Sequence, residues 1–247
     1  MGILNEAITW LTDPAHWTGP TGIPNRMAEH ITISAVSLLI ALAIALPVGL
    51  YIGHTRRGAG LAINAANLWR SLPSLAVIAI VIPITAAIDP RAGFLIYPTV
   101  VAMVVLAVPP VLVNTFTGIA GVDADAVEAA RGQGMSERQL LTRVEVPLAI
   151  PVIVTGIRSA AVQVVATATL GAVFGFGGLG RYLVDGIATY SLGGTSQIYG
   201  GVVLVGTLVI ATDLMFAAIQ RLFTPRALRM THSGIDAAER SAEPLPA

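Results

Sequence analysis

The 247-residue chain is 55% hydrophobic and only 11% charged, its 14 arginines and 14 acidic residues cancelling to a net charge of zero. A soluble domain carries roughly 25% charged residues, so this chain cannot clothe a globule in polar side chains, and lipid is the implied solvent. Zero net charge gives no case for a nucleic-acid partner, and the lack of cysteine excludes disulfides and thiolate chemistry.

Residues 1–30 come first. Ile3, Leu4, Ala7, Ile8 and Leu11 recur at helical spacing until Asp13-Pro14 stops the pattern. The segment lacks the basic start and small-residue cleavage site of a signal peptide. It reads as a short extracytoplasmic helix in the membrane interface, with Trp10 and Trp17 at headgroup level. Five apolar stretches come next, at 31–52, 72–88, 94–119, 150–174 and 199–220. A helix needs about 20 such residues to cross the hydrocarbon, and internal prolines are tolerated where neighbouring helices re-satisfy the backbone. The expectation is an all-α integral membrane protein of about five transmembrane helices. Residues 31–226 form its membrane domain, and 227–247 a polar, mobile cytoplasmic tail.

Arginine sets the orientation. One set of connecting segments carries Arg56, Arg57, Arg70, Arg131, Arg138, Arg143, Arg221, Arg226, Arg229 and Arg240; the other carries Arg26, Arg91 and Arg181. The positive-inside rule puts the N-terminus outside and the C-terminus in the cytoplasm of a multi-pass cell-membrane protein. It also decides the stretch GFGGLG at 175–180, which satisfies the G-x-G-x-x-G pattern of a dinucleotide-binding turn. That pattern acts between a strand and a helix, with an acidic residue about 20 positions on. Here it comes after an apolar span, faces outward and lacks the acidic residue. Gly175, Gly177, Gly178 and Gly180 read instead as a plain outer turn, or as part of an outer gate or binding-protein contact.

The longest cytoplasmic loop, 118–147, reads GIAGVDADAVEAARGQGMSERQLLTRVEVP. Asp123 or Asp125 can cap a first short helix, Gly132 and Gly134 break it, and Ser136 with Gln139 can cap a second. Ala126, Val127, Ala129 and Ala130 make the first helix small-sided, a shape suited to a groove on a partner. Connectors of this length are uncommon in compact proteins.

These residues carry a resemblance. Glu128-Ala129-Ala130, three residues, Gly134, nine residues, then Val144-Glu145-Val146-Pro147 resembles the EAA motif of ABC importer permeases, with Val at both aliphatic positions of its last element. The segments NLWRSLPSLAVIAIVIP and VPLAIPVIVTGIRSAAVQVVATATLGAVFGFGGLGRYLVDGI are similar to the glycine betaine/carnitine/choline permeases, so the likeness runs from about residue 31 to 226. It implies a MetI-like permease fold and a loop whose Glu128, Ala129, Ala130, Gly132 and Gly134 lie at the docking surface for an ATPase. It also implies three partners: an ATP-binding subunit, a second permease subunit, identical or paralogous, and an extracytoplasmic binding protein for quaternary-ammonium osmoprotectants. An amino acid or other small solute is the alternative cargo.

The remaining residues are weighed on their own chemistry. Arg158 and Asp213 are charges inside spans, each about eight residues, or roughly 12 Å, from the cytoplasmic end. A charge at that depth needs a partner. The two are expected to pair, directly or through water or Gln163, and hold adjacent helices; the other reading turns Arg158 to the solute pathway. Tyr51, Trp69 and Tyr97 read as interfacial anchors, and the polar stretch 186–201 as a docking loop or a connector. The four histidines have no metal-ligand spacing. No catalytic constellation and no cofactor motif appears, and without G-x-x-x-x-G-K-[ST] any ATP is hydrolysed on another chain. A stand-alone secondary transporter, which usually carries several buried ionisable residues, is the weaker alternative. The orientation is open to labelling: a cysteine replacing Ser196 should react with an impermeant maleimide on intact cells and one replacing Ser136 should not, and the reverse pattern would invert the topology.

Overall fold

The structure is a computed structural model that describes residues 2–70 and 72–223. The side chain of Arg70, the arginines at 226, 229 and 240, and the polar tail lie outside the described part. The described residues form helices joined by short turns: α1 (Ile3–Thr12), α2 (Ile23–Thr55), α3 (Ala59–Arg70), α4 (Ser74–Ile88), α5 (Ala92–Leu95), α6 (Tyr97–Ala120), α7 (Ala124–Gly132), α8 (Glu137–Leu140), α9 (Val146–Thr167), α10 (Gly180–Ala188) and α11 (Thr195–Phe223). A π turn, Leu141–Glu145, leads into α9, and a 3-10 stretch, Ala168–Phe174, continues it.

Four stretches among the described residues are long and apolar enough to cross a membrane: Ile23–Thr55, Ala92–Ala120, Glu137–Phe174 and Thr195–Phe223. The second expected span is the short one. Its helix α4 has 15 residues, about 22 Å at 1.5 Å per residue, less than the roughly 30 Å hydrocarbon core. The preceding α3 was not expected, because its run AGLAINAANLWR lacks a continuous apolar stretch. The boundary expected at residue 30 falls inside α2, which begins at Ile23 with Pro24 in its first turn, where a missing N–H costs nothing.

The core is a packet of α2, α6 and α9, centred on Ile33, Ala41, Ala45, Met103, Ala107, Val111, Ala160 and Val164. Along α2, Ser37, Ala41, Ala45, Gly49 and Gly53 recur every fourth residue and are all buried. Residues four apart share a helix face, so this is a continuous small-residue seam, and the α6 backbone lies directly against it. A Cβ on Gly49 would sit 2.7 Å from Thr115 Cβ and 3.1 Å from the Leu112 carbonyl oxygen. The α6–α9 contact is equally close: a Cβ on Gly156 would lie 2.7 Å from the Pro110 carbonyl oxygen. Such approach is how membrane helices gain packing energy when lipid removes the hydrophobic drive to associate.

The N-terminal helix forms where expected and stops at Asp13, whose side chain accepts a hydrogen bond from the Ala15 N–H. Its environment differs from the expectation. Trp10 is buried within the protein rather than exposed at the surface: it stacks on His16, packs edge-on to Tyr182, and rests on Gly200 of α11, which has no side chain to block the ring. Trp17 remains exposed, as do Tyr51, Trp69 and Tyr97.

The seam generates a stability prediction. Gly49→Val should lower the unfolding temperature in detergent, at a cost of about 1–3 kcal/mol for overpacking. Gly206→Val, where an added Cβ meets nothing within 4 Å, should leave it nearly unchanged. Equal effects would show that close approach along the seam does not hold α2 to α6.

Candidate functional site

The residues singled out in the sequence fall at three places: the 121–145 loop at one end of the packet, the GFGGLG turn at the other, and a charged pair between α9 and α11.

In the loop, Asp123 caps α7 by accepting from the Asp125 N–H at 2.8 Å. The end of α7 is a Schellman turn. The Gly134 N–H donates to Arg131 O at 2.9 Å and the Met135 N–H to Ala130 O at 3.3 Å, with Gly134 at φ +81°. An added Cβ at Gly134 would meet nothing within 4 Å, so glycine is needed there for the left-handed backbone and not for space. Ser136 and Gln139 close a capping box on α8. Glu128, Ala129, Gly132 and Gly134 are exposed. Ala130 is not: it is 6% exposed and faces the chain's own interior, where α7 leans on the π turn. One residue advances a helix by about 100°, so the three residues span about 200°, and on α7 the third falls on the packed side.

The loop is also tied to α2 by residues that sequence reasoning passed over. His54, in the last turn of α2, has Nδ1 2.6 Å from Glu145 Oε2 and Nε2 3.2 Å from Glu137 Oε2. Glu137 in turn accepts two hydrogen bonds from Arg131 at 3.2 Å each. His54 and Glu145 are 91 positions apart, and no local pattern links them.

At the opposite end GFGGLG is pinned in place. The Gly178 N–H donates to Glu29 Oε2 at 2.7 Å, and that oxygen also holds Arg26 Nη1 at 2.9 Å. The Leu179 N–H donates to His30 Nδ1 at 3.3 Å, so the His30 proton sits on Nε2, which donates to Val165 O at 2.9 Å. A side chain at Gly177 would collide with Glu29 and Arg26, while Gly175 and Gly178 adopt φ of +90° and +76°. The glycines therefore serve close approach and left-handed turns. A cavity of about 700 Å³ opens beside them, lined by residues that include Asn25, Glu29, Thr32, Ile96, Val100 and Phe176. The segment expected as a docking loop at 186–201 is largely helical, split between the end of α10 and the start of α11.

Arg158 and Asp213 meet in a two-point ion pair, Nε to Oδ1 and Nη2 to Oδ2, both 2.6 Å. Both donors are thus directed to Asp213, without Gln163 as a bridge. A second polar tie lies two turns along: Gln220 Nε2 donates to Thr155 Oγ1 at 2.8 Å and to Pro151 O at 3.3 Å. Apart from Gly200 and Gly201, no residue of α11 is buried; the polar contacts add to half-buried Leu204, Val205 and Leu208, which pack against Trp10, Ile23, Leu179 and Tyr182. Among the described residues no group of three His, Cys, Asp or Glu side chains could hold a metal.

An all-helical membrane packet with a capped, glycine-cornered loop at one end agrees with the permease component of an ABC importer, and likeness to known proteins establishes that class. The chain belongs to the family described as binding-protein-dependent transport system inner membrane component, whose model matches residues 30–229. It is 37% identical over 201 residues to the choline transport system permease protein OpuBB of Bacillus subtilis (strain 168), covering 81% of this chain and 88% of that one. It is 36% identical over 204 residues to the glycine betaine/carnitine/choline transport system permease protein OpuCB of the same organism, covering 83% and 89%. To the carnitine transport permease protein OpuCB of Listeria monocytogenes it is 34% identical over 206 residues, covering 83% and 90%. Among solved structures, the inward-facing MetNI methionine ABC transporter matches with a TM-score of 0.67 at 25% identity, covering 80% of this chain and 94% of that one. A second crystal form matches at TM-score 0.71 and 22% identity over 87% and 100%, a likeness of fold. The protein is thus a transport subunit of the inner membrane, and its family works with an ATPase and a binding protein.

The charged pair should behave as one unit. Arg158→Ala and Asp213→Ala should each lower thermal stability in detergent, and the double variant should lose clearly less than their sum. Strict additivity would show that the pair does not join α9 to α11.

Proposed function

We propose that this chain is the permease of an importer for quaternary-ammonium osmoprotectants, namely glycine betaine, choline or carnitine. The observation that carries the reading is the naming of relatives at 34–37% identity over most of the chain for these solutes. Methionine, the solute in the name of the solved transporters, has only 22–25% identity behind it.

In this reading the 121–145 loop is cytoplasmic and docks on a separate ATP-binding subunit through Glu128, Ala129 and Gly132. Ala130 supports α7 from beneath, and Gly134 sets the corner between α7 and α8. The support is chemical. The exposed face is small-sided and ends in a turn whose φ demands glycine, so its shape is defined before a partner arrives. The N-terminus and the GFGGLG turn then lie outside, where an extracytoplasmic binding protein delivers solute. The pathway runs between this chain and a second permease subunit, identical or paralogous, because the spans of one chain are too few to enclose it. ATP is hydrolysed on the partner, and the chain needs no cofactor of its own.

Proteoliposomes holding the chain with its ATPase and binding protein should take up radiolabelled glycine betaine or choline, dependent on ATP. Glu128→Lys combined with Gly134→Glu should abolish uptake and co-purification of the ATPase while the chain still inserts. Indifference to both solutes with ATP-driven uptake of an amino acid would overturn the substrate class alone. Normal ATPase recovery with the double variant would overturn the docking face.

A further inference from the structure

We infer that His54 is a positioning residue for transport coupling: held between Glu137 and Glu145, its ring fastens the 121–145 loop to the end of α2. The inference rests on the reading that this loop docks on the ATPase.

Glu145 anchors the argument. Its side chain is only 7% exposed, and its carboxylate meets His54 Nδ1 at 2.6 Å. A carboxylate so buried is costly unless a cation and hydrogen bonds compensate it. The other ring nitrogen faces Glu137 at 3.2 Å. Each ring nitrogen therefore faces a carboxylate, and an N–H on either one donates to the carboxylate it faces. The result is a row of polar contacts, Arg131, Glu137, His54 and Glu145, that crosses from α7 and α8 to α2 and on to the π turn. On its own helix, His54 is succeeded by Thr55, with Arg56 and Arg57 just beyond the helix end.

Two features suit this row to carrying motion. Glu145 is the last residue of the π turn Leu141–Glu145. An extra residue in a turn rotates the α8 side of the chain against α9, and such turns recur at functional sites. Gly53, the neighbour of His54, lies so close to α6 that a Cβ there would sit 2.6 Å from Ile119 Cβ. A displacement of α7 and α8 therefore reaches His54 through Glu137 and Glu145, and reaches the α2–α6 seam one residue away. An isolated contact would not show coupling, so the test must measure coupling itself.

The complex of this chain with its ATPase and binding protein, in proteoliposomes, gives three readouts: ATPase recovered, ATP hydrolysed, and glycine betaine taken up per ATP. In His54→Gln the ATPase should co-purify normally, since the docking face is untouched, and hydrolysis should continue. Uptake per ATP should fall about tenfold, within the ordinary range of coupling between sites. His54→Lys should restore most of it, and His54→Gln with Glu145→Gln should be no worse than either alone. Should His54→Gln fail to insert, Glu145→Gln reads the same contact from its other side and should show the same fall in uptake per ATP. A native ratio in His54→Gln, or in Glu145→Gln where His54→Gln does not insert, overturns the inference. Failure of the native chain to recover any ATPase overturns the docking reading, and this inference with it.

Discussion

Everything in this molecule hangs on how closely α2, α6 and α9 approach one another. In water a helix packet is held by removing apolar surface from solvent, but lipid tails are as apolar as leucine and remove that drive. What remains is dispersion at short range, which is small per atom pair and large only when many atoms meet at contact distance. The α2 seam of Ser37, Ala41, Ala45, Gly49 and Gly53 lets the α6 backbone come to contact along most of its length. Gly156 does the same for α6 against α9. The large apolar side chains point mostly the other way, and the exposed Val36, Leu39, Ile40, Ile44 and Val48 of α2 are suited to lipid.

That constraint makes α2 the axis of the molecule. Its 33 residues reach from the glycine end to the loop end, and each end is tied to α2 by polar side chains. At one end Glu29 and His30 hold the backbone of Gly178 and Leu179. At the other His54 meets Glu137 and Glu145. The two histidines are about 24 residues apart, about 36 Å along a helix. One helix, packed against α6, thus touches both the turn expected outside and the loop expected to meet the ATPase. Alternating access needs the two ends to act together, and a shared helix is a direct way to join them.

By contrast α11 is a peripheral element. Its contact with the rest combines half-buried Leu204, Val205 and Leu208 with polar and small groups: Arg158 with Asp213, Gln220 with Thr155, and Gly200 and Gly201 under Trp10 and Leu183. Polar pairs at membrane depth are directional and have few competitors, so two of them can set the register of a helix that buries little. The buried Trp10 extends this, since it clamps α1 onto α11 by filling the space Gly200 leaves open.

The sequence by itself determined the solvent, the helical class, a cap at Asp123 or Asp125 and another at Ser136, the glycine corner at 132–134 and the identity of the only two charges inside the last two spans. These follow from composition, local hydrogen bonding and the cost of charge in lipid, all of which act over a few residues or on one residue alone. Only the tertiary structure decided that Ala130 turns inward, that Trp10 is buried, that Glu29 and His30 pin the glycine turn, and that His54 stands between Glu137 and Glu145. Those facts depend on which faces of distant helices meet, as in the 135 residues between His30 and Val165. In a membrane that choice is made by shape at contact distance, and a small-residue spacing such as that of α2 shows which face can approach another helix but not which helix will lie against it.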